Sequence, residues 1–382
     1  MSEAKIDPRK FRVPAISDDV LDEIRCTPSD SKRAREIAQK YGVVVFTGAA
    51  SFEEVLEARN LFFEWARRTS MKIDPKKNPE SVENTSWHKL GFARTGVVTE
   101  GSIGQSTFLW YCRQLPGVLK LFESLWGTNE LISSFDGCGV MRNPFFGLGF
   151  KGEAKNEDGS DGKVSIKGRK SWCTSGGWYH LDQNGNLNPN FDLWQGLLNL
   201  YPCTSTTGGT VVVLKSHQDT FKRIFRDDYR KKARRQKHFV MLNRPTDFEK
   251  YCKDAVQLRL DPGDFLVWDS RVIHCNQGMN ESCLDSHSLT KVASKADMSV
   301  FESNNLLSRL VAYICMAPKY KLENKPNVIK TRKMAVLKGL TGPHKVIINS
   351  KDLQRSRKAE NNDRLREYRP PSAKSPIWNL VS

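Results

Sequence analysis

The amino-acid sequence predicts a mainly β protein, a sandwich or jelly roll with helices beside it. Between about residues 131 and 320, short apolar runs recur, separated by Gly, Pro, Asn and Asp. This pattern is typical of antiparallel β folds. Before residue 131, longer stretches have helix-forming composition and periodicity. With 38% hydrophobic residues, the 382-residue chain can bury a substantial core.

The N-terminal region, residues 1–130, is expected to supply helices and a first strand that pack on the outside of the core. Helices are predicted at 31–39, 52–68 and 118–126, and a buried strand at 41–46. The second helix has the clearest start, because Ser51 and Glu54 have the spacing of a capping box. The third helix ends at Gly127, a residue type that favours helix termination.

The remaining chain divides into a β-core at 131–320 and a basic C-terminal extension at 321–382. Core strands are predicted within the apolar runs 134–141, 196–201, 210–214, 265–268 and 310–316. A basic insertion at 222–238 and a polar insertion at 278–305 interrupt the core and are expected on the surface. The extension is expected to pack along the outside of the core.

The chain is basic. Lys and Arg (60) outnumber Asp and Glu (43), for a net charge of +17, so an anionic partner is expected. Residues 222–237 hold nine Lys and Arg; they form either a solvated helix face or a docking patch for phosphates. No apolar run approaches the ~20 residues of a spanning helix. Because signal-peptide, CxxC and peroxisomal C-terminal motifs are absent from the sequence, we expect a soluble, intracellular protein, in the cytoplasm.

A His-x-Asp motif, His180-Leu181-Asp182, is the strongest chemical signal. Successive side chains of a strand point to opposite faces, so His180 and Asp182 can converge on one point. His274 ends an apolar strand that follows the turn at 261–264. Two histidines and a carboxylate on one face of an octahedral ion are the arrangement of non-haem Fe(II) oxygenases. A bidentate 2-oxo acid and O2 can fill the other positions.

A second carboxylate on such a co-substrate requires a buried cation. Arg309 begins the apolar run at 310–316, and a guanidinium matches a carboxylate with two parallel hydrogen bonds. An arginine at a strand edge that reaches to solvent is the alternative.

These motifs, in this order, resemble the phytanoyl-CoA dioxygenase family of Fe(II)- and 2-oxoglutarate-dependent oxygenases. The resemblance is carried by residues 41–46, 51–54, 178–183, 207–217, 262–274 and Arg309. It implies a core built as a double-stranded β-helix. It implies that Fe(II) is held by His180, Asp182 and His274. It implies that 2-oxoglutarate is contacted by Arg309, with Asn276 and Gln195 beside it.

The same resemblance bears on the substrate and the reaction. Trp178, Tyr179 and Trp268 flank the motifs and are expected either to line a substrate pocket or to fill the core. The carboxylate of Asp182 favours hydroxylation, desaturation or ring closure over halogenation, for which relatives replace it by a small residue. The substrate is expected to be a small to medium organic molecule, and the basic charge suggests an anionic or CoA-linked one.

Two other functions are compatible with the residues. One is a cupin-like Zn or Mn enzyme with the same three ligands, which needs neither Arg309 nor 2-oxoglutarate. The other is a non-catalytic β-protein that binds nucleic acid through residues 222–237. Outside the motif, His217 is expected to be a structural turn residue. The remaining histidines, at positions 88, 238, 287 and 344, lack metal-ligand spacing and are expected to be ordinary surface or core residues.

Overall fold

The computed structural model of the protein describes residues 12–69, 91–92, 95–146, 172–230, 239–279, 305–353 and 368–382. In these ranges the larger, 8-stranded sheet has the order β1 (Arg25–Cys26), β2 (Val43–Phe46), β12 (Phe265–Asp269), β8 (Trp194–Asn199), β14 (Leu307–Tyr313), β6 (Cys138–Arg142), β4 (Val97–Val98) and β3 (Gly91–Phe92). The smaller, 5-stranded sheet has the order β10 (Val240–Met241), β7 (His180–Leu181), β13 (His274–Gln277), β9 (Gly209–Val212) and β11 (Val256–Gln257). A further pair joins β15 (Met316–Pro318) to β5 (Leu131–Ser133).

The strand order is that of a double-stranded β-helix. From β6 to β14 the chain passes back and forth between the two large sheets, and neighbouring core strands pair antiparallel. The sheets face one another: Arg309 on β14 reaches across to Thr210 on β9 and Asn276 on β13. The expected fold class is therefore confirmed, and the space between the sheets is where inward side chains meet.

Helices flank this core. They are α1 (Asp18–Glu23), α2 (Ser31–Tyr41), α3 (Phe52–Arg68), α4 (Thr107–Gln114), α5 (Pro116–Trp126), α6 (Asp219–Arg223) and α7 (Pro326–Leu337), with short 3-10 or π turns at Ile103–Gln105, Ile224–Asp228, Phe248–Cys252, Lys319–Leu322 and Pro376–Leu380. The predicted capping box starts α3: the Ser51 hydroxyl accepts from the Glu54 amide, and the Glu54 carboxylate accepts from the Ser51 amide. The sequence pattern did not indicate α4, an eight-residue helix with five buried residues.

Several predicted segments differ from the structure in their bounds or lie partly outside the described ranges. The run at 134–141 contains a loop between β5 and β6, and the run at 310–316 belongs to two strands, β14 and β15, in different sheets. The basic insertion begins as α6 and the π turn after it, while its residues 231–238 lie outside the described ranges. Residues 280–304 of the polar insertion lie outside them as well.

The C-terminal extension packs against the core, and some of its residues are fully buried. Its helix α7 carries Arg332, which is 0% exposed. The guanidinium donates to the carbonyls of Ser133, Val346, Leu380 and Val381 at 2.6–3.0 Å. Because the extension is polar on average, its composition did not indicate this buried arginine or the apolar residues around it. The extension is thus part of the core packing, tied to β5 by charged hydrogen bonds.

The Arg332→Met variant is expected to lower the free energy of unfolding by about 2–3 kcal/mol, because buried carbonyls lose a charged donor. Urea denaturation followed by circular dichroism measures this. The adjacent Lys333 is exposed, so Lys333→Met is the matched control and should stay within about 0.5 kcal/mol of wild type. Equal stabilities of the two variants would contradict the role given to Arg332.

None of the helices in the described ranges is both long enough and apolar enough to cross a membrane.

Candidate metal centre

Strand pairing brings the three predicted ligands together. His274 on β13 lies directly opposite His180 on β7, and their ring centroids are 4.2 Å apart. Asp182 follows β7 on the same face as His180. Its carboxylate oxygens lie 3.4 Å from His180 Nε2 and 3.2 Å from His274 Nε2. Ligand atoms of these residues all lie within 4.8 Å of one another, close enough to share one metal ion.

The backbone sets which nitrogen of each histidine faces this centre. His180 Nδ1 lies 3.2 Å from the carbonyl of Trp178, and His274 Nδ1 lies 2.9 Å from the carbonyl of Val272. A carbonyl can only accept, so each Nδ1 carries the proton and each Nε2 presents a lone pair. Two lone pairs and a carboxylate then converge, an acceptor cluster that fits a metal cation.

The ionisation states of His180 and Asp182 also fit a metal cation. Burial lowers the pKa of His180, and the neighbouring His274 lowers it further, so the imidazole is neutral and can coordinate at pH 7. Burial opposes ionisation of Asp182, but the histidines around it, His344 first among them, hold its pKa well below the usual range. The centre thus offers a neutral imidazole at His180 and a carboxylate anion at Asp182.

A cavity of about 380 Å³ opens onto this centre. Aromatic side chains form much of its wall, among them Trp178, Phe239, Trp268 and Tyr313. Trp178 stacks on His180, with ring centroids 4.6 Å apart and an interplanar angle of 18°. Phe239 is 46% exposed at this wall. The cavity can therefore hold a small molecule with substantial apolar surface.

Tyr179 does not line this cavity. It is buried on the opposite face of the smaller sheet, where its ring lies 5.9 Å from that of Phe248 and in one apolar cluster with Leu181. The alternation that turns Trp178 and His180 into the cavity turns Tyr179 away from it. Tyr179 is thus a core residue, while Trp178 and Trp268 line the cavity.

The residues expected to contact 2-oxoglutarate lie together between the sheets. Arg309 is 2% exposed, and its guanidinium donates to Asn276 Oδ1 at 3.0 Å and to Thr210 Oγ1 at 2.7 Å. In the described part of the chain, no carboxylate forms an ion pair with it. Gln195 lines the cavity, is 1% exposed, and neither polar atom of its side chain has a hydrogen-bond partner among the described residues. Such buried polar groups can form hydrogen bonds with a polar ligand or with water.

Sequence reasoning missed two residues of the site. The sequence pattern indicates Thr210 only as the start of an apolar run, whereas in the structure it pairs with Asn276 across β9 and β13. His344 was placed with the ordinary histidines, yet it lines the cavity with Nδ1 3.9 Å from Asp182 Oδ1. Spacing gave no signal for it, because the C-terminal extension brings it there. His217 lies elsewhere, with Nε2 3.2 Å from the carbonyl of Gln39, in the structural position expected.

No protein-family model matches the chain. It is similar to Ava biosynthesis cluster protein O of Aspergillus versicolor, with 25% identity over 249 residues, which are 63% of this chain and 70% of that protein. Among solved structures, it is similar to a hypothetical protein of Escherichia coli, with 14% identity, 88% of this chain and 85% of that one covered, and a TM-score of 0.48. It is also similar to SnoK, a non-heme alpha ketoglutarate dependent carbocyclase from nogalamycin biosynthesis, with 13% identity, 77% and 87% coverage, and a TM-score of 0.43.

Proposed function

We propose that this protein is an Fe(II)- and 2-oxoglutarate-dependent oxygenase that oxidises a small organic molecule. One observation carries the proposal: a buried arginine without a carboxylate partner in the described chain, Arg309, lies between the same two sheets as the His180, Asp182 and His274 centre. A metal site alone does not require this arginine. A dianionic co-substrate that binds the metal at one end and a cation at the other requires both.

The ligand set favours iron. Two histidines and one carboxylate bind one face of an ion and leave the other positions for co-substrate and O2. A Zn or Mn enzyme can use the same ligands, but such an enzyme gives no role to Arg309. The buried guanidinium of Arg309 has no carboxylate partner among the described residues, and an anionic ligand would supply one.

The spacing between the two ends suits 2-oxoglutarate. Asn276, which contacts Arg309, is two residues beyond His274 on β13, and a strand rises about 3.4 Å per residue, so the two lie about 7 Å apart. A five-carbon diacid bridges a distance of this order. Gln195, with its unpartnered amide, is available for hydrogen bonds to the bound co-substrate.

When bound, Fe(II) with 2-oxoglutarate and O2 supplies an oxidant able to remove hydrogen from an unactivated C–H bond, with succinate and CO2 as co-products. The chain's part is to bind, orient and shield. His180 and His274 coordinate through Nε2 because backbone carbonyls hold their Nδ1 protons. Trp178 fixes the His180 ring by stacking. Arg309 pairs with the distal carboxylate, and the aromatic walls exclude water from the reacting atoms.

The substrate portion that enters the cavity is expected to be apolar. Arg309 lies behind Thr210 and Asn276 of the wall, and among the described residues of the lining itself none is Lys or Arg. An anionic or CoA-linked portion would therefore extend beyond this part of the lining. Hydroxylation is the proposed reaction, with desaturation or ring closure as outcomes of the same hydrogen removal.

Anaerobic addition of Fe(II) and 2-oxoglutarate to the purified protein tests the proposal. We expect the weak visible charge-transfer band of the chelate, because a 2-oxo acid bound through two oxygens gives such a band. Succinate is the control, since it has both carboxylates but no 2-oxo group and should give none. Absence of the band from metal-replete protein would favour the Zn or Mn enzyme, and salt-dependent retention of DNA or RNA would favour the nucleic-acid binder.

A further inference from the structure

The segment that follows α7 is fixed beside the metal centre by hydrogen bonds from another part of the chain. Gln105 Nε2 donates to the carbonyl of Leu340 at 2.9 Å, and the Gly104 amide donates to Thr341 Oγ1 at 3.1 Å. The Gly342 amide in turn donates to the carbonyl of Phe135 at 2.7 Å. These bonds hold the backbone up to two residues before His344, so the position of this histidine is set by the fold.

Asp182 differs from its two partner ligands in how it is oriented. Backbone carbonyls orient His180 and His274. The side-chain ion-pair contacts of Asp182 within the described residues are with histidines only: the two ligands at 3.4 and 3.2 Å and His344 at 3.9 Å. Since the first two share the metal with Asp182, His344 is the contact that can act on the carboxylate from outside the ligand set.

We propose that His344 is a positioning residue for Asp182, donating its Nδ1 proton to the carboxylate oxygen that does not bind the metal. This inference rests on the proposed metal site. The Nδ1 to Oδ1 separation of 3.9 Å exceeds a hydrogen bond, and a movement of about 1 Å reaches the usual 2.9 Å. Rotation of the carboxylate as one oxygen turns to the metal supplies such a movement. The bond keeps Asp182 monodentate and leaves a coordination position for co-substrate.

Three variants at position 344 separate this role from simple packing. His344→Leu removes the donor and is expected to weaken Fe(II) binding about 10- to 100-fold, the usual effect of losing a partner of a metal ligand. His344→Asn places an amide N–H near the Nδ1 position and should recover most of that loss. His344→Gln places its amide near the Nε2 position and should not. The Fe(II) dissociation constant is measured anaerobically by titration of the whole chain.

A spectroscopic readout accompanies the affinities. In His344→Leu the chelate band with 2-oxoglutarate should shift in energy, because a carboxylate released from His344 can bind the metal with both oxygens. His217→Leu is the control for loss of a histidine elsewhere, since His217 lies away from the centre. Its folded form should bind Fe(II) like wild type. Far-UV circular dichroism shows that each variant is folded.

The outcomes are distinct. Wild-type affinity in His344→Leu overturns the inference, as does equal weakening in His344→Asn and His344→Leu, which indicates packing. If wild type binds Fe(II) but gives no band with 2-oxoglutarate, the proposed function fails, while the affinity series still decides the role of His344. If wild type binds no Fe(II), both proposals fall.

Discussion

The His180→Ala variant is expected to lose stoichiometric Fe(II) binding and all 2-oxoglutarate turnover. Structural zinc sites with four ligands bind with about 10–16 kcal/mol, roughly 3 kcal/mol per ligand, so the loss of one ligand weakens binding by more than about 100-fold. The effect should exceed that of His344→Leu, because His180 is a proposed ligand and His344 a partner of one. Asp182→Ala should lose Fe(II) binding and turnover as His180→Ala does, and it also removes the anion that balances the metal charge.

Anaerobic titration followed by tryptophan fluorescence measures this loss. Trp178 stacks on His180, and Trp268 lies 5.1 Å from His274 by ring centroids, so Fe(II) at this centre should quench both indoles. The His180→Ala variant should show little quenching at concentrations that saturate wild type. His217→Ala is the control for loss of a buried histidine elsewhere and should be quenched normally. Unchanged Fe(II) affinity in His180→Ala would place the metal outside these residues.

The convergence of His180 and Asp182 was predictable because it depends on local geometry. A strand repeats every two residues, so the two side chains share a face wherever the strand lies. The same rule applied to Tyr179 would have predicted its outward position. Of the two roles open to Tyr179, pocket lining and core filling, the alternation of the motif itself favours core filling.

Other features depend on packing between distant segments, which spacing does not encode. Thr210 reaches Arg309 only because β9 and β14 face one another. His344 reaches Asp182 only because Arg332 and the contacts of residues 340–342 draw the C-terminal extension into the core. The contacts of Thr210, Arg332 and residues 340–342 are hydrogen bonds between distant segments, and none of them has a sequence pattern of its own. Sites of this kind become visible when the chain is folded.

The net charge of +17 does not by itself identify an anionic binding partner. Part of the basic excess is buried: Arg113 donates to the carbonyls of Gly104 and Asp136, and Arg332 to carbonyls of the core. Burial lowers the pKa of Arg113 to about 10 and that of Arg332 to about 9, so both stay protonated at pH 7. Such arginines serve the fold, and only Arg309 among these three lies where a co-substrate carboxylate is expected.

Replacement of Arg309 should separate 2-oxoglutarate binding from metal binding. Arg309→Leu is expected to weaken 2-oxoglutarate binding by about 3–4 kcal/mol, roughly 100- to 1,000-fold, because a carboxylate loses its buried partner. Fe(II) affinity should stay near the wild-type value, since Arg309 is not among the ligand atoms of the centre. Arg309→Lys should recover only part of the loss, because an ammonium group lacks the planar fork of a guanidinium.

A shorter co-substrate makes this test specific. 2-Oxobutyrate has the chelating 2-oxo acid group but no distal carboxylate, so wild type and Arg309→Leu should bind it equally well. The charge-transfer band of the Fe(II) chelate reports both titrations on the same protein samples. If Arg309→Leu weakens both acids alike, the substitution has disturbed the cavity as a whole. If it weakens neither, the anion partner of Arg309 is another molecule. Weakening of 2-oxoglutarate alone assigns the distal carboxylate to Arg309, because only that group differs in charge between the two acids.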